Sequence, residues 1–199
     1  MGETTRSNTS CTPRNASTDS ITFTCTIDMW YFDDSGSWTI NATIKDIISA
    51  YGENSSITFT YNALTAMTIS PTSLTWPSIG ITSTDVGSNN DPLIINNTGN
   101  GEGLGINVTG YNLRGETTTT QFIYAGNFTT TNASQGCEAN PLISTLSNAT
   151  SLQINGTTLE RGNNSLNYGN STSGQEELFF CLQELPLGIS AQAYSSGSG

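Results

Sequence analysis

Twelve of the chain's twenty-one asparagines are followed two positions later by serine or threonine. They are Asn8, Asn15, Asn41, Asn54, Asn96, Asn107, Asn127, Asn132, Asn148, Asn155, Asn163 and Asn170. In this N-x-S/T pattern the side-chain amide is an acceptor for N-linked carbohydrate, and such acceptors belong on surface loops and strands. Twelve is about twice the number that the Ser and Thr content would produce by chance. The spacing therefore predicts a chain exposed to a glycosylation machinery, with N-linked glycans as partners. The competing reading is a Thr-rich β protein in which such triplets arise by accident. The stretch 91–115, "DPLIINNTGNGEGLGINVTGYNLRG", supports a sugar acceptor and a turn together: "NNTGN" can join two strands, since Asn and Gly tolerate positive φ.

The four cysteines, Cys11, Cys25, Cys137 and Cys181, form no C-x-x-C pair, and the chain has no histidine, so a structural zinc site finds little support. An even count in a chain of secreted appearance predicts two disulfides. Three pairings are possible, and proximity favours Cys11–Cys25 and Cys137–Cys181. On the chain-entropy account such loops contribute about 3 and 4 kcal/mol. The alternative is free thiols buried in a cytosolic protein.

Other chemistry is sparse. Without histidine, Ser-His-Asp and Cys-His machinery is excluded. The glycine-rich "GNGEGLG" (99–105) lies between strands, which is the wrong setting for a phosphate cradle at a helix start. The carboxylate neighbours Asp33-Asp34 and Glu176-Glu177 could in principle serve glycoside hydrolysis, but adjacent strand residues face opposite ways, and solvated turns are the plainer reading. The loop "TDVGSNND" (84–91) offers Asp85, Asn89, Asn90 and Asp91 as oxygen donors for calcium, against an ordinary Asx-rich turn. Lys45, the only lysine, could form a cross-link to an asparagine if buried beside an acid, but reads as exposed. Trp30, Tyr31, Phe32 and Trp38 are either a stacking platform for sugar rings or plain packing. No catalytic residue, metal or cofactor is predicted.

The composition restricts the class further. Charged residues make up 11% of the chain, against about 25% in ordinary domains. In their place stand 32 Thr, 25 Ser and 21 Asn, a hydroxyl- and amide-rich surface suited to an extracellular setting. The net charge of −11 repels nucleic-acid phosphates and anionic lipid heads. No apolar run reaches the ~18–20 residues needed to span a bilayer, and "MGETTRSNTS" lacks the apolar core of a signal peptide. Met1-Gly2 and the closing "SSGSG" read as the edges of an excised piece, so targeting and anchoring segments are expected outside it.

Strict alternation in "ITFTCTIDM" (21–29) and "WTINATIK" (38–45), with "SITFTYNALTAMTI" (56–69), predicts strands with one wet face. "KDIISAYG" (45–52) reads as a strand end and loop. Beyond the prolines of "ISPTSLTWP" (69–77), strands are predicted near 72–76, 92–96, 104–111, 120–130, 142–154, 176–183 and 188–194. The pattern predicts an all-β chain of two tandem immunoglobulin-like antiparallel β-sandwich modules, 7–69 and 70–195. The first module is short of a full set of strands, so either a preceding piece has been trimmed or a neighbour completes its edge.

From Pro71 onward the chain resembles immunoglobulin-like domains of the choice-of-anchor and ASPM-SPD2-Hydin type. The resemblance rests on Pro71, Ser73, Leu74 and Trp76, on the turn Asn97-Thr98-Gly99-Asn100, and on Leu104 and Ile106. It covers about forty residues, departs at "LFFCLQELPLGISAQAYSS", and implies a fold rather than an activity. More loosely, "FTCTIDMWYFDDSGSWTINATIKD" and "ELFFCLQELPLGISAQAYS" resemble sequon-rich cell-surface proteins of archaea. That resemblance implies a non-enzymatic extracellular protein, a subunit or segment of a surface layer, stalk or filament in contact with like subunits. The alternative is an adhesin or carbohydrate-binding module.

Overall fold

The computed structural model describes residues 5–134, 137, 143–161 and 174–196. Every regular element among them is a β-strand, apart from one 3-10 turn at Ala125–Asn127, and every strand pair is antiparallel. The chain is all-β. A helix would bury one stripe at a period of 3.6 residues, whereas these segments alternate at two, the period of a pleated strand.

Two ribbons come first. β1 (Thr12–Arg14) pairs with β2 (Thr22–Thr24), and β3 (Gly36–Lys45) pairs with β4 (Tyr51–Tyr61). The strand predicted over 21–29 is thus only three residues long, whereas 38–45 and 56–61 fall within β3 and β4. Segment 45–52 is a strand end and turn: Asp46 Oδ1 accepts from Ile48 N at 2.9 Å and Ala50 N at 2.7 Å, and Ser49 takes φ 70°.

The remaining strands build two packed layers. β5 is Met67–Ser70, β6 Thr84–Gly87, β7 Leu93–Asn97, β8 Asn107–Gly110, β9 Leu113–Gly115 and β10 Phe122–Ile123. β11 is Phe128–Thr131, β12 Ser144–Thr145, β13 Thr150–Gln153, β14 Gln175–Glu184 and β15 Tyr194–Ser195. One sheet runs β12-β11-β14-β7-β5, with β6 alongside β7 on the same flank of β14. Opposite lie the β13-β8 pair and the β10-β9-β15 sheet. The boundary predicted after residue 69 falls inside β5, which hydrogen-bonds to β7 rather than to the preceding ribbons.

The layers meet in a core of Ile95, Leu178, Phe180, Leu182 and Phe128 from one side and Ile106, Ile154, Ile123 and Leu159 from the other, bridged by Trp76, Val108 and Leu152. β14 is the spine. Its residues 175–178 pair with β7, 181–184 with β6, and 179–182 with β11. Between β6 and β7 the ladder is interrupted, and side chains complete it. Asp91 Oδ2 accepts from Phe180 N at 3.0 Å, while Ser88 N donates to Phe180 O at 3.0 Å.

The strand predicted at 72–76 is irregular backbone. Leu74 and Trp76 still point into the core, as alternation requires. What they lack is a partner strand. Asn90 fills that role with its amide, accepting from Thr75 N at 3.1 Å and donating to Ser73 O at 2.6 Å. β6 and β9, absent from the sequence-based reading, are short and polar at alternate positions, which gives little periodic signal.

Candidate assembly surface

Burial divides the chain unequally. Among the described residues, thirteen apolar side chains are buried, and Phe32 alone precedes residue 95. Of eighteen exposed large apolar side chains, fourteen precede residue 70. Large exposed apolar patches on soluble proteins mark interaction sites.

The β3–β4 ribbon carries much of this surface. Its register places Trp38 opposite Phe59 and Ile40 opposite Ile57, on the face that also holds Ala42 and Ile44. The Trp38 and Phe59 rings stack with centroids 6.3 Å apart. The opposite face holds Ser37, Thr39, Asn41 and Thr43 against Thr58 and Thr60. A bulge on β4 between Asn54 and Ile57 shifts the side-chain phase, so that Tyr51 and Glu53 join the polar face. There Tyr51 donates to Glu53 Oε2 at 3.2 Å; partial desolvation and that carboxylate hold its phenol above the ordinary value. Ile47 and Ile48 stand out fully at the ribbon's tip. Among the described residues neither outer edge of the ribbon pairs with another strand.

A few specific contacts tie this N-terminal part together. Cys11–Cys25 is a disulfide that brackets β1–β2, with Cα atoms 4.4 Å apart. Asp33 is fully buried; it accepts from Arg6 Nε at 3.0 Å, from Arg6 Nη2, and from Trp30 N at 2.8 Å. The solvated-turn reading of Asp33-Asp34 is therefore corrected for Asp33, whose charge is buried with a paired guanidinium, as burial demands. Asp34 forms an ion pair with Arg161, which also lies 3.2 Å from Glu102 Oε2.

The turn 97–100 docks the connection to the sandwich. Asn97 is buried, donating to Gly101 O at 2.7 Å and Glu160 O at 3.0 Å and accepting from Gly99 N at 2.9 Å. Asn100 accepts from Leu64 N at 2.7 Å and donates to Asn62 O at 3.1 Å. Asn100 N and Thr98 N donate to Leu64 O and Ala66 O, both at 2.9 Å. A Cβ on Gly99 would collide with the Leu64 carbonyl and come within 2.9 Å of Ala66 N. "NTGN" is thus a turn and also a clamp on residues 62–66. Sequence reasoning found the turn; the clamp left no local signal, because its partner lies over thirty residues away.

The other sequence-derived candidates disperse. Asn8, Asn15, Asn41, Asn54, Asn107, Asn148 and Asn155 are exposed; Asn96, Asn127 and Asn132 are half-buried, and Asn163 and Asn170 lie outside the described residues. Asn127 caps the 3-10 turn by accepting from Tyr124 N at 3.1 Å, and Asn148 accepts from Asn112 N at 2.9 Å. The second disulfide, Cys137–Cys181, fastens residue 137 to the buried centre of β14. Asn90 Oδ1 accepts from Thr75 N and Asp91 Oδ2 from Phe180 N, while Asp91 Oδ1 is buried without a hydrogen-bond partner among the described residues, where no three Cys, Asp or Glu side chains converge. Glu176 accepts from Thr158 N at 3.0 Å, while Glu177 is exposed. Lys45 is exposed at the end of β3. Trp30 stacks on Phe32 with the Arg6 guanidinium 6.0 Å from its ring, and Trp38 donates to Asp34 O at 2.7 Å, so the two indoles do not present one open platform. Cavities of about 740 and 360 Å³ flank Trp76 in the sandwich, and no charged side chain lines either.

No protein-family model, curated protein or solved structure matches the chain. Among the described residues no helix is long and apolar enough to cross a membrane. The molecule is an all-β protein of packed antiparallel sheets with two disulfides. Among the described residues, most of the exposed large apolar side chains precede residue 70.

Proposed function

We propose that this chain is a non-enzymatic extracellular structural protein, a glycosylated subunit or segment of a cell-surface layer, stalk or filament. The observation that carries the reading is the contrast between a closed sandwich and an N-terminal ribbon with open edges and an apolar face. A free ribbon of two strands is marginal in water, and a third strand or a packed layer stabilises it. Contacts with like subunits supply that cover.

Two disulfides favour an oxidising compartment. Seven exposed acceptor asparagines favour a glycan coat. Of the carboxylates that could run catalysis, Asp33, Asp34 and Glu176 are engaged in structural bonds, which favours a mechanical rather than chemical role.

The test is light scattering on the purified chain across a concentration series, with mass spectrometry of native, non-reduced material. Reversible assembly and asparagine-linked carbohydrate are the expected results. A strict monomer with every asparagine bare and reduced thiols overturns the reading.

A further inference from the structure

The two outer edges of the ribbon are unlike, and the difference points to a specific partner. β4 is broken by its bulge at 54–57 and carries Glu53. Bulges and charges protect an edge from pairing. β3 has neither defence: it is a regular ten-residue strand, exposed along nearly its whole length, with no proline and no charge from Gly36 to Ile44. On a chain of net charge −11 this neutral stretch is where a second copy can approach with least repulsion.

We propose that β3 pairs antiparallel with β3 of a second copy about a two-fold axis, giving a four-stranded sheet β4-β3-β3-β4. The proposal rests on the structural role above and names the partner and register of that assembly. Directly opposed residues on antiparallel strands share a face. Only registers that set even-numbered residues of β3 against even-numbered ones keep Trp38, Ile40, Ala42 and Ile44 on one apolar face. An axis through Asn41 would set the two Asn41 side chains side by side, leaving no room for carbohydrate on both. An axis through Ile40 avoids this. It sets Ile40 against Ile40 and the large Trp38 against the small Ala42, while Asn41 faces Thr39 across the polar side.

The same register brings Lys45 of each copy opposite Ser35 of the other, next to Asp34. Lys45, the strand's one cation, thus meets no like charge, Asp33 and Asp34 being already paired with Arg6 and Arg161. Nothing else along β3 is charged.

A residue on the axis faces itself, which gives a sharp test by sedimentation velocity on the full chain. Ile40 is 42% exposed, so Ile40→Lys and Ile40→Glu leave the sandwich folded, as an unchanged melting transition will verify. Each variant alone opposes like charges and should weaken self-association about tenfold or more. An equimolar mixture of the two should restore it as a heterodimer. Ile57→Lys, on the same face but the other strand, should weaken association far less. If Ile57→Lys is as damaging as Ile40→Lys and mixing restores nothing, the ribbons stack by their faces and the edge pairing is wrong. Assembly that survives both Ile40 variants overturns this register yet leaves the structural role standing. A wild-type chain that stays monomeric at every concentration overturns both.

Discussion

The stretch before residue 70 and the sandwich beyond it solve the same problem by different means. The sandwich buries twelve apolar side chains and is held from within. The N-terminal stretch buries Phe32 and otherwise relies on point fastenings: Cys11–Cys25, the Arg6–Asp33 pair, Asp34 with Arg161, and the Asn97–Asn100 clamp. Its strands alternate as cleanly as any in the chain, yet both faces remain in water. Alternation thus specifies a strand with two different faces; it does not supply the second layer. The difference predicts two separable responses to perturbation, one global and one local.

The sharpest separation comes from the disulfides. Replacing Cys137 and Cys181 by serine should lower the unfolding free energy of the sandwich by about 4 kcal/mol, measured by denaturant titration. The matching change at Cys11 and Cys25 should leave that transition in place and abolish hydrogen-exchange protection in β1–β2. A shift of the sandwich midpoint by the second pair would break the distinction between the regions.

Gly99→Ala tests the join. The added methyl strikes the Leu64 carbonyl, and overpacking of this kind costs roughly 1–3 kcal/mol. Faster amide exchange at Leu64 and Asn100 is expected, with strands β11 and β14 unchanged. Asp91→Ala, inside the sandwich, strands the Phe180 amide without its acceptor, a loss of about 1–3 kcal/mol, and should appear as a lower melting temperature.

The smallest effect belongs to Thr130→Val. Thr130 is buried in β11, and its hydroxyl has no hydrogen-bond partner among the described residues. Exchanging that hydroxyl for a methyl removes an unsatisfied group, so stability should hold or rise by up to about 1 kcal/mol. A fall larger than that would reveal a partner for the hydroxyl.

Much of this architecture is legible in the sequence. Alternation at Trp38–Ile44 gave a strand because period two marks a pleated backbone with two unlike faces. Cysteine proximity gave the pairing that the structure contains. Where reading failed, a side chain had taken over a main-chain task. Segment 72–76 has the inward residues of a strand but is held by Asn90, from the Asx-rich loop 84–91, whose Asp91 likewise bonds main chain. A sequence shows that Asx residues are present; it does not show which amide they serve. The same limit hid the burial of Asp33, whose partner Arg6 lies twenty-seven residues away. The proposed assembly of the ribbon was foreshadowed by a missing strand count, but a strand count carries no register.

The clamp on residues 62–66 has a mechanical consequence. Tension applied through the N-terminal ribbon enters the sandwich along this segment, and meets the bonds of Asn97, Thr98 and Asn100 before it reaches β5. Those bonds would part first, then β5 would peel from β7, while the covalent tie at Cys181 keeps β14 in place. Under such tension the clamp would act as a sacrificial link, yielding before the domain behind it unravels.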